Sequence, residues 1–138
     1  MNAVDSSAWL EYFGDGPNAP VFAKAIETPD KLIVPALTLF EVFKRSCQLK
    51  GETIALEAIS VMLQGRVVKL SASLALDAAR LSLDSGLALA DSIILATARS
   101  HNAVLWTRDA HFKGLDNVEF REKQETVGLP ANYHDLPD

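Results

Sequence analysis

Four acidic side chains in this 138-residue chain stand where a solvated surface does not explain them. Asp5 closes the apolar run at residues 2–4, directly before Ser6 and Ser7. Glu41 lies between Phe40 and Val42. Asp91 interrupts LALADSIILATA; its neighbours one helical turn away are Leu87, Ile94 and Leu95, so in a helix it shares the apolar face. Asp109 follows LWT in the turn Thr107-Arg108-Asp109. Three of them have an ordinary reading taken singly: Asp5 as a helix N-cap, Glu41 as an ion-pair partner of Lys44 and Arg45, Asp109 as a turn residue. Asp91 has none, because an unpaired carboxylate on an apolar stripe is costly. Brought together, the four would repel. Two ionised carboxylates about 5 Å apart cost roughly 3 kcal/mol at an effective dielectric near 20. Some must then be protonated, or a divalent cation must bind. Oxygen donors without Cys or His suit Mg²⁺ or Mn²⁺, and such a site matches phosphodiester hydrolysis.

The elements that must position these acids follow from patterning. Short β-prone runs at residues 2–5, 31–34, 66–70, 103–106 and 117–120 predict strands. Helical periods predict helices at 6–13, 18–27, 36–50, 52–64, 71–84 and 87–100, with a loop at 107–114. Ser6 and Ser7 offer N-cap hydroxyls, Pro35 suits a first helical position, and Gly51, Gly65 and Gly86 stop helices. In the helix at 52–64, Ile54, Leu56, Ile59, Met62 and Leu63 recur near the helical period. Strands alternating with long crossovers predict an α/β fold, three-layer α/β/α with a small, mostly parallel sheet. Asp5 and Asp109 leave the carboxyl ends of parallel strands. Glu41 lies early in the helix launched from the second. Asp91 is near the amino end of a helix that returns directly into the strand at 103–106. All four are expected at one edge, where such sheets bind ligands.

Composition sets the bounds. The chain is 49% hydrophobic and 22% charged, which excludes a disordered linker. Its length suits one domain. The single Cys47 excludes an internal disulfide and a Cys-pair zinc site, and it points to a reducing compartment. The first basic residue is Lys24, so no signal or transit segment is read, and no stretch reaches the ~18 apolar residues of a membrane span; a soluble cytoplasmic protein is expected. The formal charge of −5 argues at first against nucleic acid. Yet residues 1–120 hold 14 acids and 11 bases. Without the four clustered acids their balance is +1, so RNA is compatible.

Further candidates surround the acids. Ser7 and Thr107 could orient a carboxylate or a water. Arg108, Lys113 and Lys44 or Arg45 could touch phosphate. His101, His111 and His134 are not spaced as a metal set, but His111 lies two residues from Asp109 and is a candidate substrate contact. Trp9, Tyr12 and Phe13 share one helical face, read as core or as a partner groove. Cys47 has no nucleophile context, and no Gly-rich phosphate loop or Ser-His-Asp set occurs. Two other classes stay open: an aspartate-based phosphatase, which needs a second Asp where Ser7 stands, and a non-catalytic binding module.

VDSSAWLEYF, IVPALTLFEVFKR, LALADSIILATA and LWTRDAHF each carry one of the four acids, in this order. In this the chain resembles the PIN-domain ribonucleases over residues 1–120, and most closely the VapC-type toxins of bacterial toxin–antitoxin pairs, with 121–138 as a tail outside the domain. The resemblance implies a Mg²⁺- or Mn²⁺-dependent endoribonuclease acting through Asp5, Glu41, Asp91 and Asp109, supported by Ser7 and Thr107. It also implies a homodimer held inactive by a small antitoxin. Some members carry a further Asp where this chain has His111, which implies one tightly held ion and a second recruited with substrate.

Overall fold

The computed structural model describes residues 1–124. Five strands, β1 (Asn2–Val4), β2 (Leu32–Pro35), β3 (Arg66–Val68), β4 (Val104–Thr107) and β5 (Val118–Phe120), form one sheet in the order β3-β2-β1-β4-β5, and every pairing is parallel. Helices α1 (Ser6–Phe13), α2 (Ala19–Ile26), α3 (Ala36–Lys50), α4 (Glu52–Met62), α5 (Ala72–Ser85) and α6 (Leu89–Ser100) supply the connections. The expected architecture and element order are present, and the sheet is parallel throughout.

Period-two alternation divides the core between the faces. Val4, Leu32, Val34 and Trp106 point to one side and pack with Trp9 of α1, Phe22 and Ile26 of α2, Val42 of α3 and Met62 of α4. Ala3, Ile33 and Leu105 point to the other and meet Ile94, Leu95 and Ala98 of α6, together with Phe112. α5 lies outside α6, touching it through Leu74, Ala78 and Ala96. Among the described residues no helix is long and apolar enough to cross a membrane alone.

Element ends differ from the sequence reading by a residue or two. The fourth strand ends on Thr107 rather than Trp106, and Pro35 completes β2 while capping α3. α6 begins at Leu89, and three residues, not two, link it to β4. The helical period of α4 does not by itself pick its buried face. α4 buries Ala55, Ala58 and Met62, whereas Ile54, Leu56 and Leu63 are exposed. α4 packs beside α3, and Met62 with part of Ile59 joins the core under the sheet. The expected tail at 121–138 falls, from residue 125 on, outside the described residues, as does His134.

Chain order now fixes where chemistry can occur. From β1 the chain moves outward through β2 to β3, then returns to the opposite side of β1 to place β4 and β5. The order reverses between β1 and β4. The crevice outside their carboxyl ends is the topological switch point at which open α/β sheets bind ligands.

Candidate active site

Asp5 leaves β1 at that crevice. Its backbone N–H donates to the Trp106 carbonyl at 2.9 Å, so the β1–β4 ladder runs one residue past the strand and brings Asp5 beside Thr107. Asp5 occupies the N-cap position of α1, yet its side chain makes no capping bond. Its Oδ2 instead accepts from Ser7 Oγ at 2.8 Å and from Thr107 Oγ1 at 2.9 Å. Burial pushes the Asp5 carboxyl above the usual carboxylate range; the two hydroxyls pull it back, and the Glu41 charge adds to the rise.

Ser6 was expected to cap α1 together with Ser7. Its hydroxyl donates instead to Glu41 Oε1 at 2.6 Å, joining α1 to α3. Both serines therefore serve carboxyl groups rather than helix amides. Glu41 makes no ion pair with its own helix: Lys44 Nζ lies 5.8 Å from the centre of the Phe40 ring, and Arg45 donates to Gln48.

The β4 end carries the other half. Thr107 Oγ1 accepts from the Asp109 N–H at 2.9 Å while donating to Asp5, and the Arg108 N–H donates to Ser7 Oγ at 3.2 Å. The turn is thus tied to α1 at two points. Asp109 caps a short 3-10 turn (Ala110–Phe112): its Oδ1 accepts from the His111 N–H at 2.9 Å and lies 2.8 Å from His111 Nδ1. Asp91, in the first turn of α6, is half-buried opposite this turn. Burial first, then repulsion from Asp5 and Asp109, push its carboxyl up to about 6; His111 lowers it and Glu41 adds to the rise. The four expected acids therefore act on one another electrostatically, as the topology required.

One ligand atom each from Asp91, Asp109 and His111 lie within 4.8 Å of one another. That spacing and chemistry suit a divalent cation. His111 was set aside as a ligand on spacing alone; the 3-10 turn that starts at Ala110 brings it back over Asp109.

One assignment changes. Arg108 was expected at a substrate phosphate, but its Nη1 donates to Glu11 Oε1 at 2.7 Å. Glu11 itself is buried and went unnoticed in the sequence, although it lies one turn beyond Ser7 on α1. Lys113, the other expected phosphate contact, is exposed with its Nζ 5.8 Å from the Phe120 ring centre. Of the aromatic trio, Trp9 is fully buried and stacks on Phe13, and half-buried Tyr12 donates to Glu27 at 3.0 Å. Core packing therefore accounts for Trp9. Cys47 is half-buried on α3, away from these groups in chain and fold.

Known structures resemble this chain closely in fold. A toxin–antitoxin complex from Klebsiella pneumoniae contains a chain that matches with a TM-score of 0.73 at 23% identity, over 86% of this chain and 96% of that one. VapC20 of Mycobacterium tuberculosis, described as a sarcin–ricin loop cleaving toxin, matches with a TM-score of 0.67 at 17% identity over 81% and 92%. FitAcB from Neisseria gonorrhoeae matches with a TM-score of 0.65 at 24% identity over 80% and 89%. No curated protein sequence matches. The model of the PIN domain family matches residues 3–118, which include every acid of the site. The chain belongs to the PIN-domain family.

Proposed function

We propose that this protein is a Mg²⁺- or Mn²⁺-dependent endoribonuclease, the toxin of a toxin–antitoxin pair, working in the cytoplasm. The observation that carries the reading is the convergence of Asp5, Glu41, Asp91 and Asp109 at the switch point, with the Asp91 carboxyl pushed up to about 6. Burial first, and repulsion from Asp5 and Asp109 next, disfavour its ionised form, and a cation would offset both. The nuclease domain spans residues 1–120, and residues 121–138 stand outside it.

In this reading Asp91 and Asp109 would hold the ion through oxygen, with Asp5 close by, and His111 would orient Asp109 through its Nδ1. A divalent ion held there would supply charge neutralisation, a more acidic water and stabilisation of the leaving oxygen of a phosphodiester. Ser7 and Thr107 hold Asp5 in one orientation through its Oδ2. Ser6 holds Glu41, which orients and deprotonates the attacking water. Lys113 contacts a substrate phosphate. The protein forms a homodimer. A small antitoxin binds it; a chain of a toxin–antitoxin complex shares its fold.

The test is RNA cleavage in Mg²⁺ and in Mn²⁺ by wild type, Asp5→Asn and Asp91→Asn, with folding checked by circular dichroism. Cleavage should require the metal, and each substitution should lower it by at least about a thousandfold, the scale of losing a major electrostatic contributor. Folded variants that cut at the wild-type rate would overturn the assignment. A wild type that binds Mn²⁺ in calorimetry and RNA in a filter assay without cutting would identify a non-catalytic binding module.

A further inference from the structure

The α1 helix carries a carboxylate that the proposed reaction does not use. The Glu11 side chain is only 2% exposed, and both of its oxygens are engaged. Oε1 accepts from Arg108 Nη1 at 2.7 Å, and Oε2 accepts from the backbone N–H of Asn18 at 2.6 Å. Arg108 stands between Thr107 and Asp109, and its own N–H bonds Ser7. Glu11 is also walled in from the far side. A Cβ at Gly16 would fall 2.6 Å from Glu11 Cγ and 3.0 Å from Cδ, so the loop after α1 leaves room for this side chain only because residue 16 is glycine.

We propose that Glu11 is a positioning residue for the catalytic turn: its ion pair with Arg108 holds the backbone that presents Thr107 to Asp5 and Asp109 to the ion. The proposal rests on the nuclease reading above. It removes Arg108 from the substrate and gives it a structural anchor in α1. It also extends the site's support to the loop at residues 14–18, which Glu11 grips through Asn18. Catalytic groups tolerate displacements of well under 1 Å before rates fall, so a turn held at one point fewer should cut more slowly without binding RNA less well.

The test compares Glu11→Gln, Arg108→Ala, the pair combined, and Gly16→Ala. Kinetics on a short RNA are measured alongside Mn²⁺ affinity by calorimetry without RNA. Glu11→Gln and Arg108→Ala should each lower kcat by about tenfold or more and leave KM within about twofold. The combined variant should be no worse than the worse single one, because both break the same link. Gly16→Ala removes no group from the site but crowds Glu11, and it should lower kcat in the same direction. Mn²⁺ affinity should weaken in step, since Asp109 is displaced. A rise in KM with kcat intact for Arg108→Ala would return that residue to the substrate and overturn the proposal. So would wild-type kcat and Mn²⁺ affinity in Glu11→Gln and Gly16→Ala. If Glu11→Gln does not fold, Gly16→Ala and Arg108→Ala decide. A wild type that binds Mn²⁺ but cuts no RNA would overturn the nuclease reading instead, and the affinity series would still judge Glu11.

Discussion

At Asp91 the apolar face of α6 and the negative charge of the crevice meet. Its carboxyl is pushed from 3.8 up to about 6, mainly by burial and next by Asp5 and Asp109. Between those two values the folded protein holds a proton that the unfolded chain has released. Metal-free stability from this group therefore falls as pH rises through about 4 to 6, and the loss persists above that window. In EDTA, Asp91→Asn should melt higher than wild type at pH 7, and the gap should narrow at pH 5, where wild-type Asp91 is largely protonated. Scanning calorimetry at both pH values measures this, and a variant that melts lower than wild type at pH 7 would contradict a crowded acidic site. Asp91 could be picked out from sequence because helical periodicity sets a polar residue against apolar neighbours. Asp5, Glu41 and Asp109 needed the topology as well. Glu11 escaped because its partners, Arg108 and Asn18, come from a distant strand end and from a loop whose path no periodicity encodes. His111 escaped because a 3-10 turn, not chain spacing, returns its ring to Asp109.

Elements set how firmly those residues are held, and one close approach lies between the end of α4 and the sheet. Gly65 fills the turn from α4 into β3. A Cβ there would fall 2.9 Å from Val34 Cγ2 and 3.1 Å from the Leu32 carbonyl oxygen, both on β2. The carbonyl belongs to the backbone of an internal strand and cannot yield cheaply. Overpacking of this kind costs about 1–3 kcal/mol, a fall in Tm of roughly 4–12 °C for Gly65→Ala. Thermal melts check this; an unchanged Tm would mean that the turn can move away from β2. Gly65 was legible as a helix stop, but its closeness to β2 was not, since that depends on strand order. The same limit explains α4. Its sequence carries large apolar residues around much of its circumference, and period alone cannot choose between Leu56 and Ala58. The tertiary fold buries Ala55 and Ala58 and leaves Ile54, Leu56 and Leu63 exposed.

Across the whole molecule, charge decides how RNA can be attracted. Residues 1–120 carry 14 acids and 11 bases, and several bases are already engaged: Arg108 with Glu11, Arg80 with Asp77, and Lys44 over Phe40. Lys113 is the exposed base nearest the catalytic turn in sequence, beside Phe120, the β5 residue in register with Thr107. With Arg108 held by Glu11, the catalytic turn has no base of its own left to replace counterions. For a single strand the slope of log affinity against log salt is about −0.7 per phosphate neutralised, so two contacts predict roughly a sevenfold loss between 50 and 200 mM salt. Five would predict more than about a hundredfold. We expect the shallow dependence, with KM for a short RNA rising by roughly a factor of 7 over that range. Lys113→Ala should raise KM, leave kcat unchanged and flatten the dependence further. A steep dependence that Lys113→Ala leaves intact would place the RNA on a basic surface away from the crevice. Shallow electrostatics would assign the choice of RNA to the shape of its loops and their fit around the acids, since charge alone would discriminate little between one strand and another.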